Sequence, residues 1–246
     1  MSLSADQLEF YRKNGYLAVE KVVSETRVKA MRDRIEQLCD DWQSDHARRV
    51  GAQQEASIAG ALTQDRNAAS VRKFSDLSPY EPIFAEHASD ARLLDMVEAL
   101  IGAPILLYAD QALLKPPRVG SEKMPHQDNA YFKVDPADAV VTCWCALDDA
   151  YIENGCMHYL PGSHREGLVD HTAVKGTPHL VPDEFDPEKA DAVPIKAGGV
   201  IFHHSETLHY SPVNKTDRWR RAFVCHFVQA DAETPRVDTE KLARLR

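Results

Sequence analysis

The length and charge of the chain restrict its class before any motif is considered. It has 246 residues, of which 43% are hydrophobic, and this suffices for the core of one catalytic domain. Its net charge of −9 excludes the basic surplus that binds nucleic acid or anionic lipid. The N-terminus lacks a basic stretch followed by an apolar core, and no run of about 18 apolar residues occurs. We therefore predict a soluble, cytoplasmic protein with neither a nucleic-acid nor a membrane partner.

The cysteines are typical of a reducing compartment. They are five in number and form no CxxC pair, which favours free thiols over disulfides. Cys143 and Cys145 flank Trp144 in a strand-like run. We interpret them as small buried residues rather than as metal ligands.

The N-terminal part of the chain carries three helix patterns. Ser4 and Gln7 have the spacing of a capping box, and Gly15 can end the short helix that follows. Another helix is predicted from about Asp90 to Ile101. The clearest helix begins near Ser24, and its apolar residues recur every three or four positions: Val28, Met31, Ile35, Leu38 and Trp42.

After residue 102 the apolar pattern becomes strand-like. Short stretches rich in β-branched and aromatic residues are separated by Pro, Gly, Asp and Asn: ILLYADQALL, HQDNAYF, AVVTCWCAL, GCMHYL, GGVIFHHSETL and WRRAFVCHFV. Because helices precede the strands and do not alternate with them, the pattern favours a mainly β, antiparallel barrel or sandwich. We predict a single domain over residues 1–246, with a mainly helical flank at 1–102 and a β core at 103–230. The polar segment 43–72 is predicted to be mobile or a loose helix.

The segment HQDNAYF contains a candidate metal site. His126 and Asp128 lie two residues apart, so on a strand both side chains would share one face while Gln127 points away. One more donor would complete the two-histidine, one-carboxylate triad of non-haem iron(II) oxygenases, which leaves coordination positions open. The candidates for that donor are His203, His204 and His209, and spacing alone does not choose among them.

Arg220 begins the strand that follows these histidines. On this strand Arg220 shares one face with Ala222 and Val224, whereas Arg221 belongs to the other face. An inward-facing arginine is costly unless it meets an anion, and its planar guanidinium matches a carboxylate in a bidentate manner. The position therefore suits a dicarboxylate that chelates iron at one end and binds Arg220 at the other.

Three segments together resemble one protein family. The segments HQD, NGCMHYLPGSH and HYSPVNKTDRWRRAFVCHFV resemble, in the same order, motifs of the phytanoyl-CoA dioxygenase family of iron(II)- and 2-oxoglutarate-dependent oxygenases. The resemblance implies a double-stranded β-helix (jelly-roll) core with N-terminal flanking helices. It also implies that His126, Asp128 and His209 bind iron. His209 is selected because the family's ligand stands two residues before a serine and eleven before an arginine, here Ser211 and Arg220.

The same resemblance implies the cosubstrate site and the reaction. In the family the serine and the arginine bind the distal carboxylate of 2-oxoglutarate, and Trp144, Gln111 and Lys73 match further contact positions. The implied dioxygenase uses Fe(II), 2-oxoglutarate and O2, with ascorbate as an activator, and releases succinate and CO2. It hydroxylates an unactivated C–H bond of a small molecule. The related halogenases carry a small residue in place of the carboxylate ligand, so Asp128 argues against halogenation.

Two alternatives to hydroxylation remain. The same iron chemistry could give desaturation, epoxidation or cyclisation, which the sequence does not separate from hydroxylation. A non-catalytic metal-binding jelly-roll protein is disfavoured, because structural zinc usually has four protein ligands.

The substrate is predicted to be a small free metabolite rather than a coenzyme A thioester. Segment 165–193 is rich in acidic residues, whereas the phosphates of coenzyme A require a basic cluster. The candidate substrate contacts are Asn129, Tyr131 and His158.

Overall fold

Side-chain caps set the starts of the main N-terminal helices. The computed structural model describes residues 2–55, 71–177 and 179–235. Both the capping box at Ser4 and the left-handed Gly15 are present, and Ser24 and Asp90 cap the other two predicted helices. The α-helices of the described residues are α1 (Ala5–Asn14), α2 (Glu25–Asp40), α3 (Asp45–Arg49), α4 (Pro82–Ala88), α5 (Ala91–Ile101) and α6 (Asn129–Phe132). Among the described residues no helix is both long and apolar enough to cross a membrane.

The strands form two antiparallel sheets and a separate hairpin. The larger sheet has the order β1 (Tyr16–Val19), β11 (Val200–His204), β6 (Val140–Ala146), β13 (Arg220–Gln229), β4 (Ile105–Lys115), β3 (Val71–Ser75) and β2 (Gln53–Gln54). The smaller sheet has the order β10 (Asp191–Val193), β7 (Met157–Tyr159), β12 (His209–Ser211) and β5 (Lys123–His126). The hairpin consists of β8 (His171–Ala173) and β9 (Leu180–Pro182). This architecture confirms the predicted mainly β fold.

The larger sheet packs against helices on one face and against the smaller sheet on the other. Its helix-side residues include Phe223 and three free, buried cysteines, which confirms that Cys143 and Cys145 serve as core residues. The alternate residues face the smaller sheet, where Tyr159 contacts them. One row of this inner face crosses four neighbouring strands in register and consists of Tyr16, His203, Thr142 and His226. The sheet order therefore places one histidine on each side of Thr142, His203 on β11 and His226 on β13.

The N-terminal part contributes strands as well as helices, which the sequence pattern did not predict. Strand β1 extends one edge of the larger sheet, and β2 and β3 extend the other. Segment 43–72 was expected to be mobile or a loose helix, but it contains the short helix α3, strand β2 and the first residues of β3. Residues 56–70 of that segment lie outside the described residues. Strands of two to five residues are too short to show a period of two clearly, and pairing with the sheet defines them.

Candidate active site

Three side chains from separate elements meet at one point between the two sheets. Metal-binding atoms of His126, Asp128 and His209 all lie within 4.8 Å of one another, and all three residues are buried. Asp128 Oδ1 is 3.5 Å from His126 Nε2 and 3.8 Å from His209 Nε2. The two histidines lie directly opposite each other on β5 and β12. The structure therefore brings together the three residues that the resemblance implied.

Asp128 reaches this point by a different route from the one expected. Strand β5 ends at His126, and Asp128 has helical backbone angles (φ −59°, ψ −37°) immediately before α6. The expectation that both residues lie on one strand was therefore wrong. Gln127 does point away, and its side chain bonds the backbone of Gly167, Val169 and Glu206. It thereby ties the segment leading into the β8–β9 hairpin to the metal-binding loop.

Both histidines present a lone pair to the metal position. The Nδ1 atoms of His126 and His209 each lie 2.8 Å from a backbone carbonyl, of Met124 and Thr207 respectively. Because a carbonyl only accepts, each Nδ1 carries the proton and each Nε2 is left as a donor to metal. Burial, followed by the charge of Lys123, lowers the pKa of His126 to about 4, and burial also holds the pKa of His209 well below its usual value. Both rings are therefore neutral, as ligation requires.

The second carboxylate oxygen of Asp128 is held by two donors from the larger sheet. The Thr142 hydroxyl donates to Oδ2 at 2.7 Å, and His203 Nε2 lies 3.1 Å from the same atom. Burial alone would raise the pKa of Asp128, but its interactions with the surrounding imidazoles, including the hydrogen bond from His203, hold it well below its ordinary value. Asp128 is therefore an ionised carboxylate whose Oδ1 is directed toward the histidine ligands.

The orientation of this network follows from which of its atoms can donate and which can accept a hydrogen bond. Because the Thr142 proton goes to Asp128, the Thr142 oxygen must accept from His226 Nδ1, 2.9 Å away. His226 Nε2 is then an acceptor and receives a hydrogen bond from the Gln111 amide N–H at 3.0 Å. On the other side, Tyr159 donates to His203 Nδ1 at 3.0 Å. Every donor in the chain thus points toward one oxygen of the carboxylate ligand.

We predict that Thr142→Val weakens metal binding by about tenfold or more. Valine keeps the shape of threonine but leaves Asp128 Oδ2 without its shortest hydrogen bond, and changes of this kind typically cost about 10–100-fold in metal affinity. Anaerobic Fe(II) titration measures the effect. Thr172→Val on the exposed hairpin is the matched control, and equal iron affinity in the two variants would contradict the orienting role of Thr142.

Arg220 lies buried without a counterion. Its side chain enters between the sheets, and neither Nε nor Nη1 has a hydrogen-bond partner among the described residues. Its guanidinium carbon is 5.4 Å from the Trp144 ring, whose indole N–H also lacks such a partner. Arg221 points the opposite way and binds Asp148 with Nε at 2.7 Å, so the predicted alternation holds. Burial lowers the pKa of Arg220 to about 10, which leaves it charged at neutral pH.

Unpaired donors of this kind define an anion pocket. A buried guanidinium without an acceptor is costly, and a carboxylate would satisfy both it and the indole N–H. Ser211 lies on β12 two residues after His209 and is buried. Its carbonyl accepts a hydrogen bond from Lys115 Nζ at 3.2 Å. Lys115 is a positioning group that the sequence did not reveal.

The remaining predicted cosubstrate contacts have different surroundings. The amide nitrogen of Gln111 forms a hydrogen bond with His226 and so belongs to the network that holds Asp128. Lys73 is directly opposite Leu113 in the β3–β4 pairing and therefore lies on the inner face of the sheet. Burial, followed by the charge of Arg72, lowers the pKa of Lys73.

The three candidate substrate contacts separate in the structure. Tyr131 lies against His126, with ring centroids 5.8 Å apart, and so borders the metal site. The Asn129 amide is engaged by both backbone groups of Val134 and stabilises the loop after α6. His158 alternates with the inward-facing Tyr159 and packs on Tyr210 at 4.7 Å, so the structure does not bring it to the site.

The sequence did not identify the groups that hold Asp128. His203 and His204, the other two candidates for the third ligand, both form hydrogen bonds in the barrel: His203 binds Asp128, whereas His204 binds the exposed Asp138 at 2.8 Å. His226 shares the Arg220 face of its strand, which was the one available signal for it. Thr142 gave none, because a threonine in a strand is ordinary.

Comparison with known proteins identifies the family. A model of the family described as "Phytanoyl-CoA dioxygenase (PhyH)" matches residues 11–222. The chain belongs to the phytanoyl-CoA dioxygenase family. It is 26% identical over 257 residues to a phytanoyl-CoA dioxygenase of Arabidopsis thaliana, covering 94% of this chain and 90% of that protein.

Two solved structures extend the likeness to the whole fold. The carbocyclase SnoK from nogalamycin biosynthesis, described as non-haem and α-ketoglutarate-dependent, is 26% identical with a TM-score of 0.71, covering 94% of this chain and 86% of that one. EvdO2 from Micromonospora carbonacea var. aurantiaca, in complex with 2-oxoglutarate, is 28% identical with a TM-score of 0.68. The match covers 96% of this chain and 94% of that one. These matches confirm the predicted jelly-roll fold and the predicted family.

Proposed function

We propose that this phytanoyl-CoA dioxygenase family member is an Fe(II)- and 2-oxoglutarate-dependent dioxygenase that hydroxylates an unactivated C–H bond of a small molecule. The observation that carries the proposal is that the space between the two sheets holds both a three-ligand centre and an arginine whose Nε and Nη1 have no hydrogen-bond partner among the described residues. His126, Asp128 and His209 match the donor set that iron(II) oxygenases use, with positions left for other ligands. Arg220 supplies the anion site that a dicarboxylate cosubstrate requires.

Each residue has a defined task in this reaction. His126, Asp128 and His209 bind the iron, and Thr142 and His203 orient the carboxylate ligand. Arg220 and the Trp144 indole bind the distal carboxylate of 2-oxoglutarate, with Ser211 beside them. When bound, iron and 2-oxoglutarate supply the oxidising chemistry, in which O2 is reduced as succinate and CO2 are released. The apolar inner residues, such as Val224 and Ile201, exclude water from the reaction.

Ring closure is the second candidate outcome. The related SnoK, at 26% identity, is described as a carbocyclase and uses the same cosubstrate. The ionised Asp128 favours oxygen transfer over halogenation, since it occupies the position that halide would need. Whether the carbon radical receives oxygen or closes a ring depends on the substrate. Product analysis by mass distinguishes the two, because hydroxylation adds one oxygen atom and ring closure removes two hydrogen atoms.

Cosubstrate turnover tests the proposed function directly. Purified protein reconstituted anaerobically with Fe(II), 2-oxoglutarate and ascorbate should consume O2 and form succinate at a low rate even before its primary substrate is known. The metal-free protein and the Asp128→Ala variant should form none. If the reconstituted protein binds iron but forms no succinate above the metal-free sample, a non-catalytic metal-binding protein becomes the better description.

A further inference from the structure

A lysine, a tyrosine and a histidine meet beside the metal ligands. Lys123 Nζ lies 3.4 Å from the Tyr131 hydroxyl, 3.4 Å from His179 Nδ1 and 4.9 Å from the centre of the Tyr131 ring. Tyr131 in turn packs on His126. We call Lys123, Tyr131 and His179 the lysine cluster. It joins β5, α6 and the β8–β9 hairpin at the side of the metal site.

The lysine cluster carries positive charge and has no carboxylate partner among the residues that the structure describes. Among the described residues no Asp or Glu lies within salt-bridge distance of Lys123, although its side chain is partly buried. Burial, opposed by the charge of Asp128 and assisted by those of Arg72 and Lys73, lowers the pKa of Lys123 to about 8. Several cations thus converge in a chain whose overall charge is −9.

Lys123 and His179 do not use all of their N–H groups within the cluster. An ammonium has three protons, and two are directed to the Tyr131 oxygen and to His179 Nδ1, which leaves one. His179 accepts at Nδ1, so its proton is on Nε2. The Tyr131 hydroxyl accepts from the Leu180 backbone N–H at 2.8 Å, which fixes the ring and the hairpin relative to each other. Lys123 and His179 therefore each keep one donor for a ligand.

No described acidic residue of segment 165–193 forms a salt bridge with this cluster. Asp183 accepts the Thr172 hydroxyl at 2.6 Å, and Asp191 accepts the Tyr16 hydroxyl at 2.9 Å. Asp186 lies 3.4 Å from Lys189 on its own turn. The net charge of a segment is therefore a poor guide to the local charge at the site.

We propose that the lysine cluster is a subsite that binds an acidic group of the primary substrate, a carboxylate or a phosphate, beside the iron. The proposal rests on the proposed function and adds the chemical class of the substrate. Lys123 and His179 donate to the anion, while Tyr131 positions both. A partly buried cation without a counterion is destabilising, and binding of the anion reduces that cost. The subsite differs from the Arg220 pocket, because the Arg220 guanidinium lies against Trp144 and the cluster lies against His126.

Binding to a non-reacting form of the protein tests this subsite without turnover. Protein loaded with Ni(II) and saturating 2-oxoglutarate is titrated calorimetrically with hexanoate, hexyl phosphate, hexanoyl-CoA and neutral hexanamide. We expect at least one anion to bind about tenfold or more tightly than hexanamide, the usual size of a charged hydrogen bond. Lys123→Met should remove this preference, and Lys123→Arg should restore most of it. Lys175→Met, at an exposed position of the same hairpin, is the matched control.

The outcomes separate this inference from the proposed function. Binding of hexanoate or hexyl phosphate identifies a free acid or a phosphate monoester, and binding of hexanoyl-CoA alone would assign the anion to coenzyme A. The subsite would be overturned if none of the three anions bound the unmodified protein more tightly than hexanamide does. The subsite would also be overturned if Lys123→Met weakened the binding of 2-oxoglutarate instead of the binding of the anion. None of these results depends on succinate formation, which tests the proposed function separately.

Discussion

Asp128→Ala and His209→Ala are each expected to abolish tight iron binding and all 2-oxoglutarate turnover. Either change leaves two neutral imidazoles or one imidazole and one carboxylate, which is too few protein donors for this metal. In Asp128→Ala the donors of Thr142 and His203 also lose their shared acceptor. Anaerobic Fe(II) titration followed by a succinate assay measures both losses.

His204→Ala is the matched control for the ligand assignment. His204 lies on β11 next to His203, but its ring binds the exposed Asp138 and not the carboxylate ligand. This variant should retain iron. Loss of the metal in His204→Ala together with its retention in His209→Ala would refute the assignment of His209.

Arg220→Lys is expected to raise the apparent dissociation constant for 2-oxoglutarate by about tenfold or more. Lysine keeps the charge but loses the planar pair of donors, and charged hydrogen bonds contribute about 1.5–3 kcal/mol. The unpaired Nε and Nη1 of Arg220 are the atoms whose loss should account for the effect. The affinity is measured by titrating 2-oxoglutarate into Ni(II)-loaded protein.

Two comparisons make the Arg220 result specific. Arg218→Lys changes an exposed arginine two residues earlier and should leave the 2-oxoglutarate affinity unchanged. Iron affinity should barely change in either variant, because neither arginine is among the metal-binding residues. An unchanged 2-oxoglutarate affinity in Arg220→Lys would remove Arg220 from the cosubstrate pocket.

Local sequence determined the parts of this protein that depend on neighbours in the chain. The capping residues Ser4, Ser24 and Asp90 define their helices, because each accepts a hydrogen bond from the first turn. The alternation on β13 correctly placed Arg220 inside and Arg221 outside, since successive strand residues point to opposite faces. The short strands β1, β2 and β3 were missed, because they exist through pairing with distant strands.

Only the tertiary structure decided how the site is held together. The sequence motif implied the ligands, but the orienting network of Thr142, His203 and His226 depends on β6 lying between β11 and β13. Alternation says which face a residue occupies and says nothing about which strands are neighbours. The local charge beside the metal site was likewise decided only by the tertiary structure. The acidic composition of segment 165–193 is a property of the sequence, whereas the positive surroundings of Lys123 arise from β3, β5 and the β8–β9 hairpin meeting in space.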